Sequence, residues 1–144
     1  MAEYSANAVQ TVNPGETIVF TESPDPCTRG LVRHRDGTGN FLLAGRTSCR
    51  CKRCAGYEVS FGANIAVPDG ETVGPISVAL SIDGATVPST SMIATPAAVE
   101  EYFNVSRDTG IEIWAGCCES FAIRNTSQIP ILVQNANVVF SYKG

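Results

Sequence analysis

The clearest pattern in the sequence is a regular alternation of apolar and polar positions over residues 56–67. Every second residue is apolar or aromatic: Tyr57, Val59, Phe61, Ala63, Ile65 and Val67. Because side chains alternate between the two faces of a strand, these residues are predicted to share one face, and small or polar residues the other. Residues 76–82 repeat the alternation. Two long neighbouring strands of this kind predict a β-sandwich.

Turn-forming sequences separate further short apolar segments at intervals of roughly ten residues, which is typical of an all-β sandwich or barrel. One of these predicted turns is Asp108-Thr109-Gly110. A single helical turn is predicted at 96–100, where Thr95 precedes Pro96. Strands are predicted over 7–12, 16–21, 30–35, 40–44, 56–67, 75–83, 91–95, 100–107, 110–115, 119–125 and 129–142.

Composition narrows the class of protein. The 144 residues, of which 44% are hydrophobic and 17% charged, predict one domain over 1–144 with a substantial core. A net charge of -4 argues against nucleic-acid binding, which needs an excess of Lys and Arg. No run reaches the ~18 apolar residues of a membrane helix, so no membrane partner is expected.

The first residues lack the basic region and apolar core of a signal peptide. We therefore expect synthesis in a cytosol. The final location is expected to be the surface of an extracellular particle, reached by lysis or by assembly onto that particle.

Several motifs resemble the C1q/TNF-like jelly-roll superfamily in its bacterial and phage form. They are the opening segment 7–20, Phe41–Gly45, the aromatic alternation Tyr57-x-Val59-x-Phe61 and the final segment 137–142. Similar modules form the heads of collagen-like exosporium proteins, spore appendage subunits and phage head-fibre or decoration domains. The resemblance implies an antiparallel jelly-roll β-sandwich of about ten strands that assembles as a homotrimer. The cysteine-rich segment 46–55 departs from the family pattern.

The resemblance also implies where subunits meet. In the superfamily, the sheet that holds the first strand, a long strand and the last strand lines the trimer axis. The corresponding side chains here are those of Ser60, Gly62 and Asn64 on one strand and of Phe140 and Tyr142 on another. Trp114 points away from its apolar strand neighbours and is predicted to be exposed, as an interface anchor or a stacking surface.

Six cysteines are unusual for a short chain made in a cytosol: Cys27, Cys49, Cys51, Cys54, Cys117 and Cys118. Disulfides are the favoured prediction: intrachain bridges that staple loops at one end of the sandwich for most of the six, with a bond between subunits as the alternative for at least one. Adjacent Cys117 and Cys118 are expected to reach different partners, because a bond between them would be strained. The alternatives are free thiols or a zinc site, in which Cys27, Cys117, Cys118 or His34 would complete a C-x-C-x-x-C set. No bound metal or cofactor is predicted.

The sequence offers no base–nucleophile pair, so we expect no enzymatic activity. His34 is the only histidine and is predicted to lie at the surface, and no nucleophile-elbow motif is present. The predicted function is structural: a trimeric head or decoration, or a self-assembling fibre, on a spore or phage particle, hardened by disulfides. The alternative is a receptor- or glycan-binding tip that uses loop residues, with Trp114, Tyr102, Phe103 and Phe121 as a candidate aromatic platform.

Overall fold

The structure, a computed structural model, describes residues 1–25, 30–47, 51 and 53–144, apart from the side chain of Cys117. These residues form strands and one 3-10 turn, Pro88–Thr90. The strands are β1 (Ala2–Ala6), β2 (Gln10–Val12), β3 (Glu22–Asp25), β4 (Val32–His34), β5 (Phe41–Gly45), β6 (Cys54–Ala66), β7 (Ile76–Ile82), β8 (Ala85–Thr86), β9 (Met92–Ala94), β10 (Phe103–Trp114), β11 (Gly116–Asn125) and β12 (Ile131–Tyr142). None of the described segments forms a helix with the length and apolar character needed to span a bilayer.

The strands build two six-stranded antiparallel sheets. The first has the order β10-β6-β12-β1-β3, with β2 also paired to β12. The second has the order β4-β5-β11-β7-β8, with β9 also paired to β7. The predicted all-β sandwich is therefore confirmed, with twelve strands in the described part of the chain where about ten were expected.

The core lies between the sheets and is aromatic at its centre. Along β6, the alternate side chains from Tyr57 to Ile65 are at most 2% exposed, whereas their neighbours are half-buried or exposed. The Phe41 ring from the second sheet packs edge-on or tilted against Tyr4 and Phe140 from the first, with centroids 4.9 and 5.0 Å apart. Burial of each such ring is worth about 1.5–3 kcal/mol, so this cluster joins the two sheets firmly.

A buried hydroxyl makes a second connection between the sheets. Tyr57 of β6 donates to the carbonyl oxygens of Ala44, at 2.6 Å, and Leu31, at 3.3 Å. Its ring packs against Tyr142, with centroids 5.4 Å apart. Burial away from water raises the pKa of Tyr57 to about 12, with a smaller contribution from neighbouring Tyr142.

Three local predictions are wrong. The strand predicted over 16–21 does not form, and Thr17 and Phe20 make only isolated bridges. For the other two, pairing with β6 or its extension explains the difference. The turn at Asp108-Thr109-Gly110 does not form, because every residue of β10 pairs with β6 in one uninterrupted register. The helical turn at 96–100 is replaced by a bend. There, Glu100 adopts a φ of 58° and donates its N–H to the carbonyl oxygen of Val67 at 2.8 Å.

The prediction that His34 lies at the surface is also wrong. Its side chain is 0% exposed and stacks on Phe41, which lies opposite it in the β4–β5 register, at a centroid distance of 4.3 Å. Nε2 lies 3.0 Å from the carbonyl oxygen of Thr38, and Nδ1 lies 3.6 Å from Oδ1 of Asp36. Val32 and His34 alternate with outward-pointing arginines, so strand periodicity places the histidine inside.

Candidate functional site

The outer face of the first sheet, the side turned away from the core, carries most of the residues predicted for subunit contact. On β6, Ser60, Gly62 and Asn64 are half-buried and alternate with the buried core residues. The register places Ser60 between Asp108 and Val139, Gly62 between Ser106 and Asn137, and Asn64 between Asn104 and Gln134. The strands therefore assemble a low surface of small and polar side chains around Gly62.

Side-chain amides bridge the strands of this face. Asn104 of β10 donates from Nδ2 to Oδ1 of Asn64 at 3.2 Å. Asn137 of β12 donates from Nδ2 to Oε1 of Glu3, on β1, at 3.0 Å. These bonds hold the amide side chains across neighbouring strands of the face.

Gly62 is not required by packing within the chain. A Cβ atom at this position would meet no heavy atom closer than the carbonyl oxygen of Val105, at 4.0 Å. Its φ also lies outside the left-handed region that favours glycine. Without a side chain at this position, the centre of the outer face stays shallow.

The outer face is also acidic. Glu58 on β6 and Asp108 and Glu112 on β10 are exposed there. β6, β10 and β12 place no Lys or Arg on this face, although Lys143, which follows β12, lies beside Gly56 at its margin. Negative charge therefore collects on one side of the sandwich.

Trp114 shares this face and is 64% exposed. It is the last residue of β10 and lies opposite Cys54, six positions along β6 from Ser60. A large exposed indole at the margin of a low polar surface has the chemistry of an interface anchor. That role stays a prediction.

Phe140 and Tyr142 lie on the opposite side of the sheet from the predicted contact surface. Phe140 is 1% exposed and belongs to the core. Tyr142 packs on Tyr57 and donates its hydroxyl to the carbonyl oxygen of Arg46. The prediction that these two side chains line a trimer axis is therefore corrected: the alternation Val138, Phe140, Tyr142 turns them inward.

The described cysteines gather at one end of the sandwich. Cys54 pairs in register with Trp114, and Gly116, two residues before Cys118, pairs with Gly45. Cys54 has a free thiol, whereas Cys51 and Cys118 do not. The predictions for Cys27, Cys49 and the side chain of Cys117 fall outside the described residues.

Nothing in the described part of the chain assembles a metal centre. It contains no group of three or more His, Cys, Asp or Glu side chains arranged to hold a metal ion. His34, considered as a fourth zinc ligand, packs in the core against Phe41 instead.

The candidate aromatic platform does not come together. Phe121 is 1% exposed and belongs to the core. Tyr102 and Phe103, which are 37% and 39% exposed, lie where β10 begins, and Trp114 lies where it ends. At about 3.3 Å per residue, the two ends of this strand are roughly 36 Å apart, too far for one ligand ring to contact both.

The fold is shared with solved structures. No protein-family model matches the chain, and no curated protein matches its sequence. The globular domain of zebrafish complement 1qA is 13% identical over 99% of this chain and 98% of its own, with a TM-score of 0.60. Eiger TNF from S. frugiperda is 11% identical over 99% of this chain and 91% of its own, with a TM-score of 0.70. These likenesses confirm the predicted C1q/TNF-like jelly roll.

Proposed function

We propose that this protein is a non-enzymatic structural subunit that assembles as a homotrimer. It would serve as a head or decoration, or polymerise into a fibre, on the surface of a bacterial spore or phage particle. The observation that carries the proposal is the low outer face around Gly62, where the chain itself has no need of a glycine. Its partner is a second copy of the chain.

The charge of the outer face favours a particular kind of contact. If two copies met face to face about a two-fold axis, Glu58, Asp108 and Glu112 of each would oppose those of the other. Like charges brought together at an interface cost several kcal/mol. The face is therefore expected to meet a different surface of the neighbouring copy, and a head-to-tail contact of this type closes into a ring or continues as a fibre.

Covalent linkage is proposed at the end of the sandwich where the cysteines gather. The proposal is supported by Cys54, whose thiol is free and which pairs in register with the exposed Trp114. Disulfides formed after release from a reducing cytosol would harden the assembly. The pairing of the six cysteines stays a prediction.

A pair of glycine variants tests the assembly surface. Gly62→Gln adds a side chain to the centre of the outer face, and Gly74→Gln adds the same side chain in open space away from the sheets. Neither glycine has a positive φ, so both variants are expected to fold. Light scattering after size exclusion should show a trimer for wild type and Gly74→Gln and a weakened trimer for Gly62→Gln. Equal trimers for both variants would contradict the proposed interface.

A second candidate function is a receptor- or glycan-binding tip. It is favoured by one observation, a depression lined by two arginines on the second sheet. Binding of a defined saccharide by the purified protein would support it, and the chemistry of that depression narrows the choice of ligand.

A further inference from the structure

The hairpin formed by β4 and β5 builds a depression on the outer side of the second sheet. Arg33 and Arg35 occupy alternate positions and point outward on either side of buried His34. Leu42 of β5 pairs with Arg33 of β4 on one side and with Ser120 of β11 on the other. Together with Asn40, these side chains line a concave region of about 620 Å³. The region is shallow and open to solvent rather than an enclosed cavity.

Arg33 and Arg35 lie beside two turns that carry the acidic residues Asp36 and Asp83. Within the residues described, neither Arg33 nor Arg35 makes an ion pair or a side-chain hydrogen bond. The acids of the adjoining turns have other partners. Oδ1 of Asp36 accepts a hydrogen bond from Ser23 at 2.9 Å, and Oδ1 of Asp83 accepts from the backbone N–H of Ser120 at 2.8 Å.

Residues two positions apart in an extended chain are about 6.6 Å apart along the backbone. Both long arginine side chains can therefore reach the same anion.

We propose that this depression binds an acidic saccharide, a sugar ring that bears a carboxylate or a sulfate. The guanidinium group of arginine binds carboxylates and sulfates through paired charge-assisted hydrogen bonds. Asn40 and Ser120 supply hydrogen-bonding groups for ring hydroxyls. Leu42, 42% exposed, offers an apolar surface for the ring itself. Among the described residues of the lining there is no exposed aromatic ring on which a nucleobase could stack. The inference rests on the second candidate function and is independent of trimer assembly.

Calorimetry with the full-length protein tests the ligand class. The probes are trigalacturonate, a singly 6-sulfated disaccharide, neutral maltotriose, inorganic sulfate and adenosine monophosphate. We expect at least one acidic saccharide to bind and maltotriose not to bind, and we expect affinity to fall as salt rises from about 0.05 to 0.3 M. Which acid binds identifies the anionic group. No binding of either acidic saccharide below about 10 mM, or equal binding of sulfate or adenosine monophosphate, would overturn the proposal.

Matched arginine variants test the location. Arg33→Gln and Arg35→Gln should each weaken binding by at least about tenfold, because each removes a charge-assisted contact. Arg107→Gln makes the same change at an exposed position of β10, on the first sheet, and should leave affinity unchanged. Circular dichroism checks that all three variants fold. An equal loss in Arg107→Gln would show diffuse attraction between charges and would refute the site.

The same variants separate this inference from assembly. Light scattering should give Arg33→Gln the oligomeric state of the wild type, whatever that state is. Loss of saccharide binding with an unchanged oligomer supports the site even if the wild type is a monomer. A changed oligomer in Arg33→Gln would mean that the depression is a subunit contact, and the inference would be wrong.

Discussion

Tyr57→Phe removes one hydroxyl from the middle of the sandwich and leaves the ring in place. The hydroxyl donates to the carbonyl oxygen of Ala44 at 2.6 Å and, at 3.3 Å, to that of Leu31. The Leu31 oxygen keeps a second donor, the N–H of Ala44, at 2.9 Å. The loss therefore falls mainly on the Ala44 oxygen. A net hydrogen bond is worth about 0.5–1.5 kcal/mol, and a buried acceptor left without its donor costs about 1–3 kcal/mol.

We expect Tyr57→Phe to lower the free energy of unfolding by about 1–2 kcal/mol. Urea unfolding followed by circular dichroism measures this change. With a slope of about 1.5 kcal/mol per molar urea, the midpoint should fall by roughly 1 M with the slope unchanged. Because an oligomer's stability depends on concentration, all variants must be compared at one protomer concentration.

Tyr102→Phe is the matched control. Its side chain is 37% exposed, and its hydroxyl makes no side-chain hydrogen bond within the described residues. Its stability should stay within about 0.5 kcal/mol of wild type. Equal midpoints for wild type and Tyr57→Phe, or equal losses in both variants, would refute the claim that this hydroxyl stabilises the contact between the sheets.

The free energy of unfolding measured above pH 10 tests the Tyr57 hydroxyl independently. The pKa of Tyr57 is raised from 10.0 to about 12 by burial. Above pH 10 the unfolded chain loses this proton while the folded chain keeps it, so stability present below pH 10 is lost as pH rises towards 12. Wild type should lose more stability across pH 10–12 than Tyr57→Phe does. Parallel profiles would contradict the assigned shift.

Three further changes probe other parts of the structure. In Gly45→Ala the new Cβ atom would overlap the carbonyl oxygen of Trp114, so thermal unfolding should show a loss above about 3 kcal/mol or no folded protein. Phe140→Ala should lower the free energy of unfolding in urea by about 3–5 kcal/mol. A loss under about 1 kcal/mol together with a weakened trimer would show that Phe140 lies at the subunit interface and not in the core. Maleimide labelling of the native protein should modify Cys54. The substitution Cys54→Ser should abolish labelling of the peptide that contains this position. A wild-type protein that is not labelled at Cys54 would contradict a free thiol.

The sequence predicted the parts of the fold that depend on periodicity alone. The alternation from Tyr57 to Ile65 identified a strand with one buried face, and the structure places those side chains in the core. The same rule, applied to Val32 and His34 or to Val138 and Phe140, would have placed His34 and Phe140 inside. Phe140 was instead assigned from family resemblance, which transfers the position of a strand better than the direction of its side chains.

Features that depend on a distant partner could not be read from local sequence. Asp108-Thr109-Gly110 has the composition of a turn, yet pairing with Ser60, Val59 and Glu58 of β6 keeps it extended. The depression beside Arg33 also depends on tertiary structure, because Ser120 reaches it from β11. By contrast, Ser60, Gly62 and Asn64 were placed together correctly on the outward face of one strand, because two-residue spacing alone fixes that arrangement.

The native mass of the purified protein decides whether three copies assemble. Light scattering after size exclusion, repeated with and without reductant over a range of concentrations, gives this mass. A homotrimer has three times the protomer mass of 15.2 kDa, and we expect this mass in both conditions. A larger polymer that collapses to the trimer on reduction would indicate covalent links between trimers at the cysteine end. A monomer under all conditions would contradict the proposed assembly.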